Sequence, residues 1–289
     1  MLRHLRLIAF AAGVLACAGC SEDHRPPTDP GPPFVPPGPP AVSAAQRSAA
    51  LALLDAAGVH AWATTSPLTL AAYEGKVNWT NGPCEEYGSL QASLDGGVPP
   101  TSGTFLPTGN HTYVVSFSNC LLDGWTLTLT GTASATYKAA EWSNVSATVS
   151  ADSVRGRDLA FLSQLHDVTA DGSAAWTSVG SGTKTTTYTP VPGARVLNNA
   201  TSNVATFGGG SYSKTQTGNR WEMRFDNLKV AINGTEYTLT GSLDTEGAGS
   251  SRTYTGEVRI IHNGTLVARV YGDVRNVLTF EILSPLVPF

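Results

Sequence analysis

His166 and Asp167 stand side by side, the two residue types from which a general base and its orienting acid are built. In a strand, however, adjacent side chains point to opposite faces and do not converge on one substrate. Ser211-Tyr212-Ser213-Lys214 and Ser181-Gly182-Thr183-Lys184 spell the S-x-x-K string of enzymes that acylate a serine. That string works when a helical turn carries the lysine back to the serine; here both copies lie in Gly/Thr-rich sequence, without a K-T-G companion. No G-x-S-x-G elbow occurs. Gly208-Gly209-Gly210 precedes Ser211-Tyr212-Ser213-Lys214 but lacks the glycine directly before the lysine that a phosphate loop carries. Asp244-Thr245-Glu246-Gly247 offers carboxylates to a calcium ion, yet not the alternating ligands of a dedicated loop. His24, His60, His111 and His262 are scattered along the chain. The expectation is a protein that is not an enzyme, with no catalytic residues, no cofactor and no metal.

The four cysteines carry chemistry of another kind. The chain opens MLRHLRLIAFAAGVLACAGC, with Arg3, His4 and Arg6 ahead of an apolar run from Leu7 to Leu15. That run is too short for ~30 Å of hydrocarbon, which needs about 20 apolar residues. A basic front, a short apolar core and small residues behind it form the pattern of a cleaved export signal. Cys17-Ala18-Gly19-Cys20 resembles the Leu-Ala-Gly-Cys of bacterial lipoprotein signals, which implies acylation of the cysteine that becomes the new N-terminus. Cutting before Cys20 is favoured, and cutting before Cys17, after Val14-Leu15-Ala16, is the alternative. Ser21 and Ala18 follow the two candidates, and the absence of Asp there resembles the rule that sends enterobacterial lipoproteins to the outer membrane. The expectation is a bacterial envelope protein whose partner is the membrane, reached through an N-terminal acyl anchor.

Behind residues 1–20, the signal peptide, the segment 21–41 contains RPPTDPGPPFVPPGPP. Proline fixes φ and removes donors, so neither helix nor sheet forms there. The segment reads as a semi-extended tether of ~3 Å per residue, roughly 50 Å in reach. Ser43-Ala44-Ala45-Gln46 has the form of a capping box. A helix over about 44–57 follows, with Ala50, Leu53, Leu54 and Ala57 on one face and Gly58 as the stop. From about Ala61 onward Thr, Val, Tyr and Trp dominate and charges are sparse, which reads as β. Asp123-Gly124, Asn233-Gly234 and Asn263-Gly264 separate alternating segments, with Asp171-Gly172 as a weaker fourth. Asn-Gly and Asp-Gly supply the positive φ of tight hairpins. The fold class is therefore mainly β, an antiparallel meander with one N-terminal helix, built as a large curved sheet, a sandwich or a half-barrel. Residues 42–289 form a single domain. Phe117-Ser118-Asn119 with Leu127-Thr128-Leu129-Thr130-Gly131 is echoed by Phe225-Asp226-Asn227 with Tyr237-Thr238-Leu239-Thr240-Gly241. Two duplicated halves and two similar hairpins both account for that echo.

Cys84 and Cys120 remain after the signal, and two cysteines in an oxidising compartment pair. Closing that loop contributes ~3–4 kcal/mol in the chain-entropy model. The runs GPCEEYGSLQASLDGG, YVVSFSNC and DGWTLTLTG, roughly Gly82 to Gly131, resemble a pattern in uncharacterised exported proteobacterial lipoproteins. The resemblance implies a β-rich envelope domain with paired cysteines and carries no activity.

The formal charge of −4 includes a basic leader, so the mature chain is more acidic and nucleic acid is excluded as a partner. Trp62, Trp79, Trp125, Trp142, Trp176 and Trp221 read mainly as packing, or as stacking platforms if exposed together. Pro285 and Pro288 near the terminal Phe289 break the ladder that a last barrel strand requires, and no lipid-facing band is sustained. Three readings follow. The first is an envelope-anchored binding or structural module, its protein, lipid or glycan ligand unspecified. The second is a periplasmic carrier holding a lipid or acyl ligand between helix and sheet. The third is a surface glycan-binding module or hydrolase.

Overall fold

The computed structural model describes residues 42–73, 82–83, 87–97, 109–121, 128–141, 144–157, 167–247 and 252–289. Cys17, Cys20, Cys84, His24, His166, the expected turn Asp123-Gly124, the expected tether and Trp79, Trp125 and Trp142 lie outside them. One helix, α1 (Ala44–Tyr73), precedes the strands β1 (Gly82–Pro83), β2 (Tyr87–Leu94), β3 (Gly109–Leu121), β4 (Thr128–Glu141) and β5 (Asn144–Arg157). There follow β6 (Asp167–Val179), β7 (Thr183–Pro190), β8 (Arg195–Asn198), β9 (Val204–Thr217) and β10 (Arg220–Ile232). The chain closes with β11 (Thr235–Glu246), β12 (Thr253–His262), β13 (Thr265–Gly272) and β14 (Leu278–Ile282). These strands make one antiparallel sheet in chain order, the meander expected, rather than two packed sheets. β7 and β8 share one lane between β6 and β9: β7 pairs with their Ala174–Val179 and Tyr212–Thr217 ends, β8 with Val168–Asp171 and Val204–Thr206.

Ser43 caps α1, its Oγ accepting from the Gln46 amide at 3.2 Å. The reciprocal half of the expected capping box is replaced by a long-range clasp. Gln46 Nε2 donates to the Leu286 carbonyl at 3.1 Å, and the Leu286 amide donates to Gln46 Oε1 at 2.7 Å. The helix also runs past the expected stop at Gly58, to Tyr73. Glycine inside a helix costs about 1 kcal/mol relative to alanine. Val59, His60 and Ala63 beyond it are almost fully buried, which offsets that cost. The single apolar stripe expected is also too narrow. Ala49, Ala50, Ala52, Leu53, Leu54, Ala56 and Ala57 are all buried, because the sheet lies on one side and Leu286 and Phe289 of the tail join the same core. Val287 and Phe289 hold the tail down: the Val287 amide donates to the Tyr237 hydroxyl and Asn198 donates to the Phe289 carbonyl.

Asn233-Gly234 and Asn263-Gly264 form the β10–β11 and β12–β13 turns, with positive φ at both positions of each. Asp171-Gly172 is not a turn; it lies inside β6. Its positive φ serves a bulge instead. Among the described residues three strands carry bulges of this form: β3 between Phe117 and Cys120, β5 between Ala151 and Val154, β10 between Phe225 and Leu228. Each places one residue in the left-handed region, Asn119 (φ 50°), Ser153 (φ 53°) and Asn227 (φ 47°). On one side of each, a glycine meets the bulged carbonyl so closely that a Cβ on Gly88, Gly131 or Gly210 would stand 2.1, 2.3 or 2.2 Å from the oxygen. On the other side, the residue before the bulge pairs with a glycine: Phe117 with Gly131, Ala151 with Gly172, Phe225 with Gly241. The sequence echo thus belongs to a bulge and its facing glycine, and the β5 copy shows that the device also recurs without the Phe-x-Asn signature.

Alternation sorts the side chains of the sheet. One face, called inner here, carries Val115, Val149, Tyr188, Phe207, Phe225 and Leu239, all nearly inaccessible, and packs against α1. The outer face carries hydroxyl pairs such as Ser116–Thr132 and Thr183–Thr217, 3.0 and 2.9 Å apart. It also carries cross-strand ion pairs, among them Arg155–Asp167 at 2.7 Å and Arg269 between Glu257 and Glu281. The threonine excess of the sequence is therefore a solvated β-surface.

Candidate functional site

Toward the β9–β10 turn and the Glu246 end of β11, the inner face carries two rows set by register. Lys184, Gln216, Trp221, Thr245 and Tyr254 form the row nearer the strand ends. Ser178, Thr186, Lys214, Met223 and Leu243 form the row beside it. Lys214, Trp221, Met223 and Thr245, together with Gly247 and Arg252, line a cleft of about 220 Å³.

The cleft is electropositive by construction. Glu222, Asp244 and Glu246 alternate with Trp221, Met223 and Thr245 and so point to the outer face, where Asp244 pairs with Arg220 at 2.9 Å. Among the described residues neither Lys214 nor Arg252 forms an ion pair. The Lys214 ammonium instead sits over the Trp221 ring, 3.6 Å from its centroid. Such a contact contributes ~0.5–2 kcal/mol and replaces only part of the lost hydration. Burial accordingly pushes the Lys214 amine down to about 8. In the adjoining row the Ser178 hydroxyl is buried and has no hydrogen-bond partner among the described residues. An indole, a thioether and two unpaired cations around a small hollow suit an anion with a flat apolar part. The volume is below the ~300–1,000 Å³ of drug-sized sites and too small for a long acyl chain.

A second polar cluster lies beneath the core surface. His60 is fully buried; its Nε2–H donates to the Asp171 carbonyl at 2.8 Å, so its Nδ1 accepts from the Tyr188 hydroxyl. Its ring stands edge-on to Phe207 at 5.4 Å. Burial holds the imidazole well below its ordinary value, at about 4. Burial, assisted by the nearby Asp55 carboxylate, pushes the Tyr212 hydroxyl up. His60 makes both of its ring hydrogen bonds inside the protein and meets no solvent, so its part is structural.

The residues singled out in the sequence land as follows. Ser211 and Lys214 lie on opposite faces of β9 and make no dyad: Ser211 pairs with Asp226, Lys214 with Met223. Asp167 pairs with Arg155 and accepts from Asn199, while His166 lies outside the described residues. Asp244 is held by Arg220, and no group of three His, Cys, Asp or Glu able to hold a metal gathers among the described residues. Cys120 is fully buried, and its expected partner Cys84 lies outside the described residues. Trp62 and Trp176 pack against the core, whereas Trp221 faces the cleft. Over Ala49–Thr65 the helix side chains fill the space where an acyl ligand would lie between helix and sheet. Lys214, Trp221 and Gly247 each belong to a string weighed above for another reason; Met223 and Arg252 carry no sequence signal of their own. No helix among the described residues is long and apolar enough to cross a membrane. Comparison with protein-family models, with curated proteins and with solved structures finds no match.

Proposed function

We propose that the chain is a lipoprotein of the bacterial outer membrane, acylated at Cys20 with Cys17 as the alternative, whose β-domain is a non-catalytic binding module. In this reading Pro-rich residues 21–41 hold the domain off the membrane, and Cys84 pairs with Cys120. The ligand is a small organic anion, taken by the cleft between Lys214, Trp221 and Arg252. The observation that carries the ligand is Lys214 over the indole with Arg252 lining the same cleft, while the acids of the same strands point the other way. Support for the anchor comes from the leader.

The two halves are tested separately. Metabolic labelling with a palmitate analogue is expected to mark the protein, and Cys20→Ser to abolish the mark; an unlabelled wild type overturns the anchor. For the cleft, the detergent-solubilised full chain is titrated with a fluorescent naphthyl phosphate. Saturable binding is expected, weakened about tenfold or more by Lys214→Gln and by Arg252→Ala, equivalent to ~1.4 kcal/mol. Arg220→Ala, on the outer face, is expected to leave binding unchanged. Absence of saturation, or an equal loss from Arg220→Ala, overturns the cleft.

A further inference from the structure

We infer that Lys214 is a covalent capture point, its amine forming a reversible imine with a small aldehyde or keto compound whose anionic group is held by Arg252. This deepens the anion-binding reading of the cleft and rests on it.

Three features of the geometry converge on this chemistry. Among the described residues Lys214 forms no ion pair, so no carboxylate there keeps its nitrogen protonated. Its position on the Trp221 face, beside Met223, withdraws it from bulk water, and a desolvated lysine is the form in which the residue acts as a nucleophile. Its lowered basicity agrees with that placement. Arg252 lines the same hollow and supplies a fixed charge for the far end of a partner, leaving the amine to meet the carbonyl.

The step balances within the cleft. The Nζ lone pair attacks the carbonyl carbon, and a proton passes from nitrogen to oxygen to give a carbinolamine. The C–O bond then breaks, water departs, and the nitrogen sheds its remaining proton to leave C=N. No oxidant or reductant takes part, and water reverses the reaction.

Two other lysines serve as internal controls. Lys184 lies on the same face but is exposed, and Lys229 is ion-paired with Glu236 at 3.7 Å. The detergent-solubilised full chain is treated with pyridoxal 5′-phosphate, which combines an aldehyde, a flat ring and a phosphate. Borohydride then fixes any imine, and peptide mapping locates it. Lys214 is expected to be labelled about tenfold faster than Lys184 or Lys229, as expected for an amine with a larger neutral fraction. Arg252→Ala is expected to bring Lys214 down to the rate of the controls, and Lys214→Arg to remove the fast label while leaving the others. Equal labelling of all three lysines overturns the inference. Pyridoxine 5′-phosphate, which has an alcohol in place of the aldehyde, separates the two readings. If it binds in the cleft while Lys214 shows no preferential label, capture falls and anion binding stands. If it fails to bind and Lys214 shows no preference, both fall.

Discussion

Gly131→Ala is expected to destabilise the domain by about 4 kcal/mol or more, the sum of backbone strain and overpacking at one atom. Gly131 has a φ of +109°, a conformation that L-residues rarely adopt. A Cβ there would stand 2.3 Å from the Ser153 carbonyl oxygen and 2.8 Å from the Val154 Cα. Both neighbours are backbone, so no side chain can swing aside. The position also serves two bulges at once, pairing with Phe117 of β3 while it receives the β5 bulge. A loss of this size is a large share of the ~5–15 kcal/mol that holds a domain together. Gly264→Ala is the contrast: its φ is +74° and nothing lies within 4 Å of the added atom, so only the strain remains. That strain is about 1–2 kcal/mol. Urea unfolding of the two variants side by side is the measurement, and equal midpoints would show that the bulge does not depend on its glycine.

Acid is expected to weaken the fold through His60, by about 3 kcal/mol between pH 6.5 and 4. In the unfolded chain the imidazole has its ordinary value of 6.5, and in the fold it is lowered to about 4. Above 6.5 it is neutral in both states and contributes no pH dependence. As the pH falls below 6.5 the unfolded chain takes up a proton that the folded chain refuses, so stability is lost down to about 4 and levels off beneath. The Asp95 carboxylate, held below its ordinary value chiefly by its hydrogen bond with His111, titrates lower than this window. His60→Gln is expected to cost stability at pH 7, because the bonds to Tyr188 and Asp171 are disturbed, yet to flatten the slope between pH 6.5 and 4. Denaturant unfolding at several pH values in that range decides it. An unchanged slope in the variant would assign the acid sensitivity to other groups.

What could be read in the sequence was local. Asn233-Gly234 and Asn263-Gly264 announce their turns because the required φ values belong to those residues alone. Ser43 announces the helix start for the same reason, since its oxygen reaches only three residues ahead. Asp171-Gly172 misleads because the same conformational freedom serves a bulge whose need arises on β5, a different strand. Gly58 misleads because the burial that carries the helix onward comes from Tyr188 and Phe207, more than a hundred residues later. The cleft is the extreme case. Lys214, Trp221 and Thr245 become neighbours only through the registers of β9, β10 and β11, and their strings, read one at a time, point to other chemistries.

The clasp between Gln46 and Leu286 joins residues 240 positions apart. Contacts of such separation delay closure, because the intervening chain must be ordered before they reward it. A chain made or threaded N-terminus first therefore carries its buried helix for most of its length without the tail that covers the first turn. The start of the helix is thus a late-closing seam: its first turn is sealed only after the strands between Gln46 and Leu286 are in place.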